Sequence, residues 1–208
     1  MRKTTTPTLP PDVTATAHLL TPIGHLMLFS GNLGIKKIMH QPRGSHLTQA
    51  DQTPDSVELP VQWKHWLDRF ATDNLVREAC RQLTEYFDHQ RNEFDLPLDL
   101  SQGTPFQQAV WKTLRDIPFG QTLSYKELAH KLGNENKIRA VGTANGRNPL
   151  PLFLPCHRVI GSNGSLTGFA WGLGVKEMLL RHEGYRDRQG KQLRLEWPDY
   201  DQISQIPR

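Results

Sequence analysis

In the run Pro155-Cys156-His157-Arg158 a nucleophile, a base and a permanent cation stand side by side. A free cysteine thiol titrates at about pH 8.5, and cationic neighbours bring it toward neutrality. The thiolate is the form that attacks carbon or sulfur. The apolar stretch Leu150-Pro151-Leu152-Phe153-Leu154 leads into this tetrapeptide and reads as a buried strand that delivers the thiol. On extended chain, neighbouring side chains point to opposite faces, so Cys156 and His157 touch only if the backbone turns. Direct contact and a water relay both stay open at this level. The other cysteine, Cys80, falls at helical spacing among Leu75, Ala79, Leu83 and Phe87 with nothing nearby to activate it, and reads as a packing residue. The two cysteines could form one disulfide, but a chain of 208 residues does not need that staple, and a reducing intracellular setting is the simpler reading.

The elements that must position this thiol follow from pattern and punctuation. Residues 1–14 are a Thr- and Pro-rich tail. From Ala15, Leu19-Leu20, the turn Thr21-Pro22-Ile23-Gly24 and Leu26 to Phe29 predict a hairpin, with a third strand from Gly34 to Met39. A polar stretch over 41–61 predicts a long surface loop. Trp63, Trp66, Leu67 and Phe70 predict one helix, and Leu75 to Phe87 a second. Leu96 to Gly103 reads as a linker between a domain over 15–98 and one over 103–186, with an extension over 187–208. Thr104-Pro105-Phe106-Gln107 carries a capping box with proline at the first helical position, and Phe106, Val110, Leu114 and Ile117 make its apolar stripe. Ser124-Tyr125-Lys126-Glu127 is a second capping box, opening a short helix that Gly133 stops. A third helix over 138–145, with Ala140, Val141 and Ala144 inward, completes the outline of a helix-turn-helix.

Charge separates the halves. Residues 1–100 hold 10 Lys and Arg against 12 Asp and Glu, whereas residues 101–186 hold 11 against 5. A basic excess confined to one segment suits contact with phosphates. No run of about 18 apolar residues could span a bilayer, and Met1-Arg2-Lys3-Thr4 has no apolar core behind it that would make a secretory signal.

From Thr104 to Gly184 the sequence resembles the O6-alkylguanine-DNA alkyltransferases of the bacterial constitutive type. The resemblance rests on Pro155-Cys156-His157-Arg158-Val159-Ile160 together with Phe106-Gln107, Trp111, Ile117-Pro118, Gly120, Ser124-Tyr125, Arg139-Ala140-Val141-Gly142, Asn148-Pro149, Lys176-Glu177 and Leu179 to Gly184. It implies an α+β fold: a small N-terminal sheet-and-helix domain, ribonuclease-H-like, and a mainly helical C-terminal domain with a winged helix-turn-helix-like motif. It implies direct-reversal DNA repair in which an alkyl group moves once, irreversibly, from O6-alkylguanine onto Cys156. Activity on O4-alkylthymine is left open.

The implied roles are these. His157 takes the thiol proton through water and is held by Glu183, and Tyr125 donates to the guanine ring as the base departs. Arg139 fills the stack when the nucleotide is everted, and Ala140, Gly142, Thr143 and Ser124 lie against DNA. Asn148 is a hinge and part of the base pocket with Tyr125, Val159, Phe169, Ala170 and Trp171. The partner is alkylated double-stranded DNA, met through the minor groove by a monomer without regard to sequence and with salt-sensitive affinity. Neither a cofactor nor a membrane is implied, and the location is the bacterial cytoplasm.

Some relatives hold zinc on two Cys and two His in the N-terminal domain. With only Cys80 there, and histidines away from ligand spacing, no metal is expected. Trp171 in Phe169-Ala170-Trp171 departs from the smaller residues of some relatives and would reshape the pocket wall. Three rival readings remain: a non-catalytic lesion-binding protein, which the presence of Cys156 opposes; a DNA-binding regulator that senses alkylation or oxidation through Cys156; and a thiol hydrolase, whose acyl chemistry would need an oxyanion site that the sequence does not point to.

Overall fold

A computed structural model describes residues 12–42, 73–133 and 135–186. The expected loop over 41–61 (apart from its first two residues), the helix around Trp63 to Phe70, the first eleven residues and the extension from 187 lie outside the described residues. The chain forms two compact units, one of residues 1–84 with 96–98, the other of 85–95 with 99–208. Among the described residues no helix is long and apolar enough to cross a membrane.

The first unit is built on a three-stranded antiparallel meander of β1 (Ala15–Thr21), β2 (Gly24–Gly31) and β3 (Gly34–Gln41). The strict alternation of buried and half-buried residues on β1 and β2 is the signature of a sheet with one face in a core. Ala17, Leu19, Leu26, Leu28, Ile35 and Ile38 are buried. Helix α1 (Asn74–Phe87) starts where the Asp73 carboxylate accepts from the Val76 amide, and it buries Val76, Ala79, Cys80 and Leu83 on a single stripe. The beginning of the expected linker is not free: Ile35 N donates to Pro97 O at 2.9 Å, and Leu98 bridges Ile35 in parallel.

The second unit begins inside the last turn of α1. Residues 85–95 belong to it, although the sequence reading assigned them to the first domain. The reason is packing, because Tyr86 is buried with its hydroxyl on Glu183 and its carbonyl on His182. Helix α2 (Pro105–Leu114) opens with both arms of its capping box in place. Its buried stripe is Val110, Trp111 and Leu114, with Phe106 only half-buried. Trp111 takes the inner position because its indole N–H donates to Ala144 O at 2.8 Å. Strand β4 (Leu123–Ser124) runs into α3 (Tyr125–Lys131), capped reciprocally by Ser124 and Glu127. After a 3-10 turn at Glu135–Lys137 comes α4 (Ile138–Gly146), which buries Val141, Ala144 and Asn145. Ala140, expected inward, is exposed beside Arg139 and Thr143.

The stretch Leu150–Leu154 is buried as expected but is no strand. It coils through turns, with Leu152 at φ +75°. The Asn148 side chain bends it: its Oδ1 accepts from Leu150 N and its Nδ2 donates to Leu154 O, satisfying inside one loop the groups a strand would pair with a neighbour. Cys156–Arg158 then form a 3-10 turn, β5 (Val159–Ile160) pairs in parallel with β4, and α5 (Leu173–His182) closes the unit.

Candidate active site

Because the chain turns at Cys156–Arg158, the extended geometry read from sequence does not apply, and all three side chains are buried. Cys156 follows directly on the loop that Asn148 braces. His157 Nε2 lies 2.8 Å from Glu183 Oε1, where it donates to the carboxylate. That bond leaves Nδ1 as the lone-pair nitrogen. Nδ1 is buried and has no hydrogen-bond partner among the described residues, so this site holds an unsatisfied base atom one residue from the thiol.

Glu183, at the end of α5, gathers more donors than an ordinary helix-end carboxylate. Arg158 donates Nε to Oε2 at 2.8 Å and an NH2 hydrogen to Oε1 at 2.9 Å. Tyr86 donates its hydroxyl to Oε1, and Gly120 N donates to Oε2 at 3.2 Å. Gly120 has φ +73°, and a Cβ there would lie 2.8 Å from Glu183 O, so only glycine lets this backbone come close enough to donate. Burial raises the carboxyl pKa, but the His157 and Arg158 partners outweigh it and hold the group far below the usual range, so Glu183 is an anion. Burial also pushes His157 below its ordinary value, against the pull of Glu183, leaving a neutral imidazole at rest.

Burial pushes the Cys156 thiol up to about 11, with Asn148 and the charge of Lys176 pulling the other way. This corrects the expectation of a thiol already lowered by its neighbours. Arg158 points away to Glu183 and Ile117 O, and the resting sulfur is protonated. Ionisation therefore has to be delivered by transfer to a base during the reaction.

Of the remaining expected site residues, Tyr125, Asn148 and Phe169 are linked directly to Cys156 or His157. Tyr125, at the first position of α3, donates its hydroxyl toward Gly168 O (3.2 Å) and Thr167 O (3.4 Å). Lys176, fully buried on α5, donates to Val159 O at 2.5 Å and Thr167 O at 2.6 Å, fastening the 162–172 loop to β5. Phe169 stands edge-on to the His157 ring, with centroids 6.4 Å apart, and edge-on to Trp171 at 5.7 Å. Ala170 is exposed and Gly142 half-buried against the Tyr125 ring. Ser124 spends its hydroxyl on the Glu127 amide. Two surface cavities of this unit lie elsewhere, one including Phe94, Phe119 and Pro155, the other His130 and Glu135; Cys156 lines neither. Cys156 is 3% exposed. Among the described residues no three His, Cys, Asp or Glu side chains cluster as a metal would require.

Lys176 was legible in sequence only as one matched position of the resemblance. Its signal was a lysine one turn before Leu179 and Leu180 on the inward face of a helix. Tyr86 gave no signal, since a tyrosine on an apolar stripe reads as packing.

Residues 105–185 match the sequence family described as the 6-O-methylguanine DNA methyltransferase DNA-binding domain. That match places residues 105–185 in a class of DNA methyltransferase domains, and the buried Cys156, His157 and Glu183 all lie inside it. Over 164 residues it is 40% identical to a methylated-DNA–protein-cysteine methyltransferase of Methanosarcina acetivorans, covering 79% of this chain and 94% of that one. It is 50% identical over 132 residues to the constitutive enzyme of Bacillus subtilis, covering 62% and 79%. A Mycobacterium tuberculosis OGT solved in complex with DNA superposes with a TM-score of 0.63 at 37% identity, over 81% of this chain and 91% of that one. The chain belongs to the methylated-DNA–protein-cysteine methyltransferase family.

Proposed function

We propose that the protein repairs DNA by direct reversal, moving an alkyl group from O6-alkylguanine in a duplex to Cys156, once per molecule. The observation that carries this reading is the bond from His157 Nε2 to an anionic Glu183, which leaves Nδ1 as a buried base with no partner among the described residues, on the residue that follows a protonated thiol. In the reaction the thiol proton passes to Nδ1, through a water. Sulfur forms its bond to the alkyl carbon as the bond from that carbon to O6 breaks. The electron pair returns to the purine, which is protonated overall by the proton the thiol gave up. Tyr125 donates to a ring nitrogen as the base leaves, exchanging its present bond to Gly168 O for one to the base. The resulting thioether has no leaving group that would restore the thiol, so turnover stops at one.

Cys156 is 3% exposed, so admitting a purine requires its surroundings to move, and the 162–172 loop that Tyr125 and Lys176 hold is the segment we assign to that movement. The Tyr125 bond to that loop is long and partly exposed, so it parts more readily than the 2.6 Å bond by which Lys176 holds Thr167 O. Phe169, Ala170, Trp171, Val159 and Asn148 then line the base. Ala140, Arg139 and Thr143 share an exposed face of α4, with Lys126, Lys131, Lys137 and Arg147 also exposed nearby in sequence. This is the face for the minor groove, with Gly142 behind it leaving room for the Tyr125 ring, Ser124 supporting it from the cap and Arg139 replacing the everted nucleotide. By the same resemblance the first unit is a ribonuclease-H-like domain and the helix pair a winged helix-turn-helix.

The test is to mix the protein with an oligonucleotide duplex containing O6-methylguanine and weigh it intact. One methyl group is expected on the Cys156 peptide, one equivalent is expected as the ceiling, and Cys156→Ser should gain none. Repeated turnover, or an unmodified protein tightly bound to the lesion, would overturn the reading.

A further inference from the structure

Among the described residues five hydrogen bonds end on the Glu183 carboxylate, and one comes from outside residues 105–185, the span of the DNA-binding-domain match. Tyr86 lies 97 residues before Glu183 in the chain and upstream of residues 105–185. Its hydroxyl donates at 2.8 Å to Oε1, the same oxygen that takes His157 Nε2. We propose that Tyr86 is a positioning residue for alkyl transfer, holding the Glu183 oxygen on which His157 depends and keeping that carboxylate from becoming basic enough to draw the Nε2 proton. This rests on Cys156 being the alkyl acceptor and His157 its base.

The argument is one of charge and geometry. When Nδ1 takes the thiol proton, the imidazole becomes a cation and its Nε2–H points at Oε1. The proton stays on the ring only if the carboxylate is the weaker base. Each donor on Oε1 lowers that basicity, and a neutral phenol does so without adding a second cation that would oppose the imidazolium. Arg158 already supplies one cation at Glu183, and Lys176 a second positive group near Cys156 and His157.

The phenol is also prevented from swinging away. Its ring is fully buried, edge-on to Phe87 at 5.1 Å and to Phe119 at 6.0 Å, with Phe94 at 5.4 Å. His182 Nε2 donates to the Tyr86 carbonyl at 2.8 Å, and His182 in turn stacks on His89. Burial and the adjacent Glu183 charge push the Tyr86 hydroxyl pKa well up, so it remains a donor.

The experiment measures single-turnover alkyl transfer from an O6-methylguanine duplex across pH for the full-length protein, Tyr86→Phe, Phe94→Leu and Cys156→Ser. In Tyr86→Phe, Oε1 keeps two donors, Glu183 becomes more basic and His157 is protonated more readily. The acidic limb of the rate profile should then move up by roughly half a pH unit or more, because only neutral imidazole can accept the thiol proton. The plateau rate should fall roughly three- to ten-fold, with duplex affinity unchanged. Phe94→Leu loosens the same ring cluster without removing the hydroxyl, and should lose stability but keep the wild-type limb. A Tyr86→Phe profile identical to wild type, or one lowered without a shifted limb as in a packing variant, would overturn the proposal. Methylation of Cys156→Ser would instead overturn the assignment of the acceptor, independently of Tyr86.

Discussion

The two cysteines sit in different units and share a burial that would make either thiol a poor acid. Cys80, on α1 in the sheet unit, is 1% exposed and burial raises its thiol to about 12. Cys156, in the helical unit, is 3% exposed and stands at about 11. A difference of about one unit does not separate a packing residue from a nucleophile. What separates them is the neighbour: the residue after Cys156 is an imidazole with one nitrogen tied to a carboxylate and the other left open. Cys80 is followed by Arg81, whose side chain pairs with Glu78 at the surface of α1. On the proposed function, reactivity in this chain is a property of the proton acceptor, and the thiol stays neutral until a substrate arrives.

Removing either thiol gives the widest contrast. Cys80→Ala should keep the full single equivalent of alkyl transfer, while Cys156→Ser loses all of it. Methyl on the Cys80 peptide would break the comparison outright. The next largest effect should come from Glu183→Gln, which leaves the thiol and imidazole in place but removes the anion that supports imidazolium. Transfer is expected to fall roughly 100-fold or more, the scale of a lost general base. The same change leaves Arg158 buried without its counter-charge, which costs about 3–5 kcal/mol. Rates must therefore be normalised to the folded fraction. A near wild-type rate in folded Glu183→Gln would mean that His157 works unaided.

Acid sharpens the contrast from the stability side. Burial lowers the His182 pKa from 6.5 to about 4. The unfolded chain thus binds a proton at His182 before the folded protein does. The neutral histidine's contribution is fully present above about pH 6.5 and is lost as pH falls toward 4, by about 3 kcal/mol in all. Denaturant midpoints taken between pH 7 and pH 4 should show that slope. His182→Gln, which can still donate to the Tyr86 carbonyl, should flatten it. His157, lowered in the same direction, accounts for slope that remains.

How much of this was readable beforehand depended on whether the signal was local. The hairpin turn at Thr21–Gly24 and both capping boxes were legible because the residues that make them lie within four positions of one another. The strand expected at Leu150–Leu154 failed for a related reason. Apolar content fixes burial but not backbone shape, and the shape is set by the Asn148 side chain bonding forward to Leu150 and Leu154. Ala140 was placed inward by spacing alone, yet the inner positions of α4 went to Val141, Ala144 and Asn145. Tyr86, Lys176 and the donation from Gly120 to Glu183 act across 97, 17 and 63 residues, beyond any local pattern. The thiol's acidity was misjudged because sequence adjacency to Arg158 says nothing of where the guanidinium points.

The smallest expected effect uses the two capping boxes as a matched pair within the helical unit. Thr104 and Ser124 make the same reciprocal bonds to Gln107 and Glu127. Replacing either by alanine should cost about 1 kcal/mol, measurable as a lowered unfolding midpoint. Their consequences for repair should differ. Helix α2 carries none of the residues proposed to meet the base, whereas the residue after Ser124 is Tyr125, and a frayed first turn of α3 lets its hydroxyl wander. Ser124→Ala should therefore slow alkyl transfer a few-fold beyond its loss of stability, while Thr104→Ala slows it only as far as unfolding does. Equal rates in the two folded variants would show that Tyr125 is held by its ring packing against Gly142 and its bonds to the 167–168 carbonyls rather than by the helix start.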